Sequence, residues 1–95
     1  MSRQGREEAS SMFTVYILRN KSTGRHYIGS TNDIDRRMEE HNRGQTKSTR
    51  QKGYWELIYR EEFDTVLEAK QRERQIKSYK GGNGFKKLIA GIVHR

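Results

Sequence analysis

The sequence predicts an α+β domain, a small three-stranded sheet with helices packed on it in the order ββαβαα. Three observations predict it. Short runs rich in β-branched and aromatic residues stand at Phe13 to Leu18, Tyr27 to Ser30 and Tyr54 to Phe63. Segments with apolar residues at helical spacing follow the second and third runs. With 95 residues, 31% of them hydrophobic, the chain supports one domain and one small core.

Each element has local justification. Asn20-Lys21-Ser22-Thr23-Gly24 is a turn cluster, so the first two runs form an antiparallel hairpin. Asn32 or Asp33 caps a helix running to about His41, with Asn42 and Gly44 as stop signals. Gln45 to Gly53 is polar and basic and reads as a loop. Trp55, Leu57 and Tyr59 alternate along the third strand. Asp64 or Thr65 caps a second helix running to about Tyr79, which Lys80-Gly81-Gly82-Asn83-Gly84 breaks. Phe85, Leu88, Ile89 and Ile92 then mark an amphipathic last helix. Residues 1–11 are polar, aperiodic and free of aromatics, and are expected to be a disordered leader before a domain spanning 12–95. There is no internal repeat and no linker.

Composition narrows the function classes. The chain has no cysteine, so neither a disulfide framework nor a thiolate zinc site supports it. No apolar run reaches membrane-spanning length and no signal-peptide core is present, so an intracellular, cytoplasmic and soluble protein is expected. Twenty Lys and Arg face twelve Asp and Glu, for a net charge of +8. A small domain this basic commonly meets nucleic acid or another polyanion.

Within this frame, polar residues stand where hydrocarbon is expected: an arginine, a histidine, a glutamate and two tyrosines all aimed at one small core. Arg37 and His41 lie one helical turn apart beside the apolar Ile34 and Met38. An arginine fork can grip two phosphate oxygens, and a histidine one turn away can accept or relay a proton. Glu73 lies in the stripe formed by Val66, Ala69 and Ile76. A carboxylate there can bind a hard divalent cation. No second acidic residue shares that face, which favours one metal ion over two. Tyr16 and Tyr27, on neighbouring strands, can orient a water or a phosphate oxygen. Taken singly, each has an ordinary alternative: a surface Arg-His pair, an ion-paired glutamate with Arg37 as its partner, and strand tyrosines that only pack. Their joint occurrence is more specific. His26 and His94 form no metal-binding His-x-x-x-His pattern.

With these residues in place, the sequence from about Met12 to Lys80 resembles a GIY-YIG nuclease domain of the small stand-alone kind, similar to the amino-terminal catalytic domain of UvrC. Thr14-Val15-Tyr16 stands where the first signature triplet belongs, and Tyr27-Ile28-Gly29 is an intact second triplet. Arg37, His41 and Glu73 match the family's helical arginine, a histidine many members carry, and the metal-binding glutamate. Thr14 replaces a glycine, and Ser30 stands where UvrC-like members have a lysine. Asn83 is the only nearby candidate for an asparagine that many members carry near the domain's end.

The resemblance implies a metal-dependent endonuclease that hydrolyses a phosphodiester bond. One Mg²⁺ or Mn²⁺ would be held by Glu73, with Tyr16, Tyr27, Arg37 and His41 as the catalytic set. Lys47, Arg50, Lys52, Lys77 and Lys80 would follow the nucleic-acid backbone. DNA is the expected substrate class, with RNA as the alternative and a structure-specific, repair-related or recombination-related use as the finer expectation. The family usually gains target choice from an added binding domain, for which this chain has no room, so a targeting protein partner is an open expectation. Two rival readings are a non-catalytic nucleic-acid-binding module of the same fold, and an interaction protein that dimerises through the last helix.

Overall fold

Residues 12–44 and 53–93 are described by the structure, a computed structural model. The expected leader at 1–11, most of the expected loop at 45–53 with Lys47, Arg50 and Lys52, and His94 lie outside the described residues. The elements are β1 (Phe13–Asn20), β2 (His26–Thr31), α1 (Ile34–Asn42), β3 (Trp55–Phe63), α2 (Val66–Ser78) and α3 (Asn83–Val93). The predicted order ββαβαα is the observed one.

The hairpin turn is organised by Asn20. Its side-chain Oδ1 accepts from the backbone N–H groups of Ser22 and Thr23, both at 2.9 Å. Gly24 then takes the left-handed φ of 77° that closes the turn and donates to the Asn20 carbonyl at 2.8 Å. Asp33 caps α1 by accepting from Arg36 N–H at 3.1 Å, and Thr65 caps α2 by accepting from Glu68 N–H at 3.2 Å.

The sheet is antiparallel, ordered β2-β1-β3, with β1 in the centre. Helices cover both faces, which is why β1 reads as a continuous apolar run. On one face Val15 and Ile17 pack with Ala69, Ile76 and Phe85 from α2 and α3. On the other, Tyr16 and Leu18 pack with Trp55, Tyr27, Leu57 and the α1 residues Ile34 and Met38. Val15, Tyr16, Ile17 and Leu18 are all fully buried. Burying a large apolar side chain contributes about 1.5–3 kcal/mol, so β1 anchors both layers.

Three expectations change. Alternation along β3 would keep Trp55, Leu57 and Tyr59 on one face. Instead the pairing register with β1 slips between Ile17 and Leu18, where Ile17 faces Tyr59 and Leu18 faces Leu57. Ile58 is the extra residue of this bulge, and it turns Tyr59 to the α2 face. Val66 does not join the buried stripe of α2: it and Leu67 occupy the helix's first turn and are exposed, while Ala69 and Ile76, two turns apart, are buried. The polar residues are also divided between the two sheet faces and do not converge on one core.

Asn42, expected only as a stop signal, ties α1 to β3. Its side-chain amide donates to the Trp55 carbonyl at 3.1 Å and its Oδ1 accepts from Trp55 N–H at 2.8 Å.

Candidate active site

Tyr16 lies directly across from Gly29 in the β1–β2 ladder. A Cβ at position 29 would fall 2.8 Å from the Tyr16 hydroxyl, 2.9 Å from its ring carbon Cζ and 3.0 Å from a Tyr27 ring carbon. Glycine is therefore what lets the Tyr16 ring lie over the edge strand beside Tyr27, with ring centroids 6.2 Å apart. His41 comes down from α1 onto both tyrosines, with centroids 5.8 Å from Tyr16 and 4.8 Å from Tyr27. The Tyr16 hydroxyl and His41 Nε2 share a buried hydrogen bond of 2.9 Å.

Arg37, one turn before His41, is partly buried. Its Nη1 donates to Glu40 Oε1 at 2.8 Å. Its ion-pair partner is thus a neighbour on its own helix and not Glu73, and it also hydrogen-bonds Tyr16, so the guanidinium stays on the α1 side of the sheet. Burial pushes the Tyr16 phenol up to about 12, against the opposing pull of the Arg37 guanidinium. Burial, reinforced by the Arg37 charge, brings the His41 imidazole down to about 4. At neutral pH both groups are uncharged, and the imidazole tautomer decides which of them donates in the shared bond.

Glu73 approaches from the opposite face. Ser30 is the ladder partner of Val15 and points to the α2 side, where its hydroxyl donates to Glu73 Oε1 at 2.7 Å. Lys77 Nζ donates to Oε2 at 2.8 Å, and Lys70 Nζ lies 3.6 Å from Oε1. Burial alone would raise the Glu73 carboxyl, but the hydrogen bonds from Lys77 and Ser30 outweigh it and hold it below the usual range. Arg72 turns away to Glu61 on β3 at 2.8 Å. Lys70, Glu73, Arg74 and Lys77 line a shallow surface groove along α2. Because β2 is an edge strand, Glu73 lies beside the free margin of the sheet, and its charge is felt at Tyr16.

The catalytic domain model of the GIY-YIG family matches residues 12–86. The chain belongs to the GIY-YIG family. That family is one of endonucleases, so a nucleic-acid substrate is what membership suggests. UPF0213 proteins of Staphylococcus aureus strains Mu3 and N315 are each 42% identical over 66 residues, covering 68% of this chain and 79% of theirs. The solution NMR structure of a UPF0213 protein from Bacillus halodurans is 32% identical, with a TM-score of 0.54 over 83% of each chain. No helix among the described residues of this GIY-YIG protein is long and apolar enough to cross a membrane.

Of the expected site residues, Tyr16, Tyr27, Arg37 and His41 gather on one face, while Glu73 stands at the β2 edge of the other. Lys77 is held by Glu73, and Lys80 is exposed just past α2, with a left-handed φ of 51°. Asn83, exposed, is the first residue of α3. The sequence marked Gly29 as part of the second triplet and Ser30 as a departure from the family pattern, but gave neither a structural role. The Ser30 contact spans 43 positions and has no local signal. Gly29 could have been found from the demand that a tyrosine lie across from it.

Proposed function

We propose that this protein is a divalent-metal-dependent endonuclease that hydrolyses phosphodiester bonds in nucleic acid, with DNA as the favoured substrate. The observation that carries this reading is the buried Tyr16–His41 hydrogen bond with the Arg37 guanidinium alongside. A purely structural core would gain little from burying a neutral imidazole against a phenol with a partly exposed guanidinium at its rim.

Glu73 fits the metal role. No group of three or more His, Asp or Glu side chains among the described residues could hold an ion. A single carboxylate nonetheless suits Mg²⁺ or Mn²⁺, which keep several waters and draw further ligands from substrate phosphates. When bound, such an ion would supply charge neutralisation at the phosphate and its leaving oxygen.

The chain's own residues do the rest. Arg37 holds non-bridging oxygens through its planar fork, leaving Glu40 to do so. Tyr16 draws a proton from the attacking water as it passes its own to His41 Nε2, and Tyr27 positions water or phosphate. In the resting protein burial raises the phenol and lowers the imidazole, so transfer between them is uphill. The step therefore requires positive charge brought to the tyrosine, which agrees with dependence on a divalent ion. Lys47, Arg50, Lys52, Lys77 and Lys80 contact the phosphate backbone without reading bases.

The exposure of the two tyrosines favours one variation. Tyr16 is fully buried, whereas Tyr27 is partly open to solvent. Their roles are exchanged if Tyr27 meets the attacking water and Tyr16 only orients His41. The test is cleavage of branched, single-stranded and duplex DNA and RNA with and without Mg²⁺ or Mn²⁺, on wild type and Glu73→Gln. Metal-dependent cutting that falls by orders of magnitude in the variant supports the proposal. Equal cutting by the two proteins refutes the role of Glu73, and no cutting of any substrate by the wild type refutes the enzyme.

A further inference from the structure

The two oxygens of Glu73 are held in different ways. Oε1 is fixed by the Ser30 hydroxyl, a short side chain on a strand, at 2.7 Å. Oε2 receives Lys77 Nζ at 2.8 Å, from a long side chain that is itself 55% exposed. Lys70 stands farther off, at 3.6 Å from Oε1. The Glu73 side chain is only 13% exposed. A carboxylate so enclosed is poorly served by water, and a nearby cation compensates its charge. Lys77 supplies one on a flexible stem, one helical turn away.

We infer that Lys77 is a placeholder cation on the metal-binding carboxylate, and that its release when a divalent ion takes Oε2 makes its ammonium available to a backbone phosphate. The inference rests on Glu73 as the metal residue and adds the regulation of that site. Lys77 lines the same groove as Lys70 and Arg74, so a displaced ammonium stays beside two other cations. A polyanion lying along that groove draws Lys77 away from Glu73 and eases metal entry. Metal that displaces Lys77 strengthens the groove for the polyanion. The coupling is reciprocal, as linkage requires. Ser30 acts on the other oxygen as a positioning residue, keeping the carboxylate oriented while its cation changes.

The test is Mn²⁺ binding to the full chain, without nucleic acid, measured by the loss of the free-ion electron paramagnetic resonance signal. Wild type, Lys77→Met, Lys77→Arg and Glu73→Gln are compared. Lys77 is largely exposed, so the methionine variant keeps the fold, which circular dichroism verifies. Losing an attached ammonium and its repulsion of the ion should tighten Mn²⁺ binding about three- to tenfold in Lys77→Met. Lys77→Arg should bind as wild type does, and Glu73→Gln should lose the site. Addition of an uncleaved duplex oligonucleotide should tighten Mn²⁺ binding in wild type and do so less in Lys77→Met. If Glu73→Gln loses binding while Lys77→Met binds Mn²⁺ no more tightly than wild type, the placeholder fails and the metal role of Glu73 stands. If Glu73→Gln binds as wild type, both are overturned.

Discussion

Gly29→Ala tests how the site is built. The added Cβ would sit 2.8 Å from the Tyr16 hydroxyl and 2.9 Å from its ring carbon, closer than real contacts allow. Neither side can yield cheaply. Tyr16 is fully buried and hydrogen-bonded to His41, and Gly29 is buried in the ladder. Overpacking of this kind costs about 1–3 kcal/mol, and loss of the Tyr16–His41 bond adds about 1 kcal/mol. For a domain of this size, a loss of roughly 2–4 kcal/mol lowers the melting midpoint by about 10–20 °C. The assay is thermal and urea unfolding of wild type, Gly29→Ala and Gly24→Ala. Gly24 has a φ of 77° but open space around its Cβ position, so its substitution costs only the left-handed strain of about 1–2 kcal/mol and leaves the site intact. An unchanged midpoint for Gly29→Ala, or one no lower than that of Gly24→Ala, refutes the close approach.

Further outcomes follow from the same geometry. Stability should depend on pH through His41, whose folded value near 4 lies below its unfolded value of 6.5. The contribution is complete above about pH 6.5, declines as pH falls and is gone once it has passed through about 4; urea unfolding at pH 5 and 7.5 should show this slope reduced in His41→Gln, with a smaller residue from His26, which burial also lowers. Arg37→Lys keeps the charge but loses the fork, so turnover should fall far more than affinity in a parallel cleavage and binding assay. Tyr16→Phe and Tyr27→Phe should differ in their pH–rate profiles, and the variant that loses the alkaline limb identifies the tyrosine that meets water. Duplex affinity measured with Ca²⁺ should fall with a log–log salt slope of roughly −3 to −5, as for about four to six phosphate contacts; a flat response removes nucleic acid as the partner. Asn42→Ala, which deletes two bonds to the Trp55 backbone, should cost about 1–3 kcal/mol in urea unfolding.

Much of the architecture was legible because its signals are local. Asp33 and Thr65 are caps whose bonds close within three residues, and the tyrosine-bearing strands flank an explicit turn. Arg37 and His41 were legible as a pair because one turn of helix places them together. What remained hidden depends on distant chain segments. The bulge at Ile58 has no signature of its own, since it exists only in the count of residues facing β1, and it reversed the face of Tyr59. The exposure of Val66 follows from what α2 covers, not from its helical spacing. Glu73 was identifiable as a charge in an apolar stripe, but the partner weighed for it was Arg37, whereas the structure gives it Lys77, one turn further along α2. Ser30, from another element, could be placed only by the fold.

The paired bonds between the Asn42 amide and the Trp55 backbone have a consequence for how this molecule can change. They span 13 positions and act as a clasp across the neck of the connecting segment, fixing where the chain leaves α1 and where it enters β3. Chain spliced inside the clasp meets a closure penalty that grows slowly, about 0.6 kcal/mol for each doubling of length. His41 sits immediately before the clasp, so its place against the two tyrosines is set by α1 and the Asn42 bonds. That segment can therefore be lengthened or recharged while the placement of the tyrosine–histidine pair stays as it is.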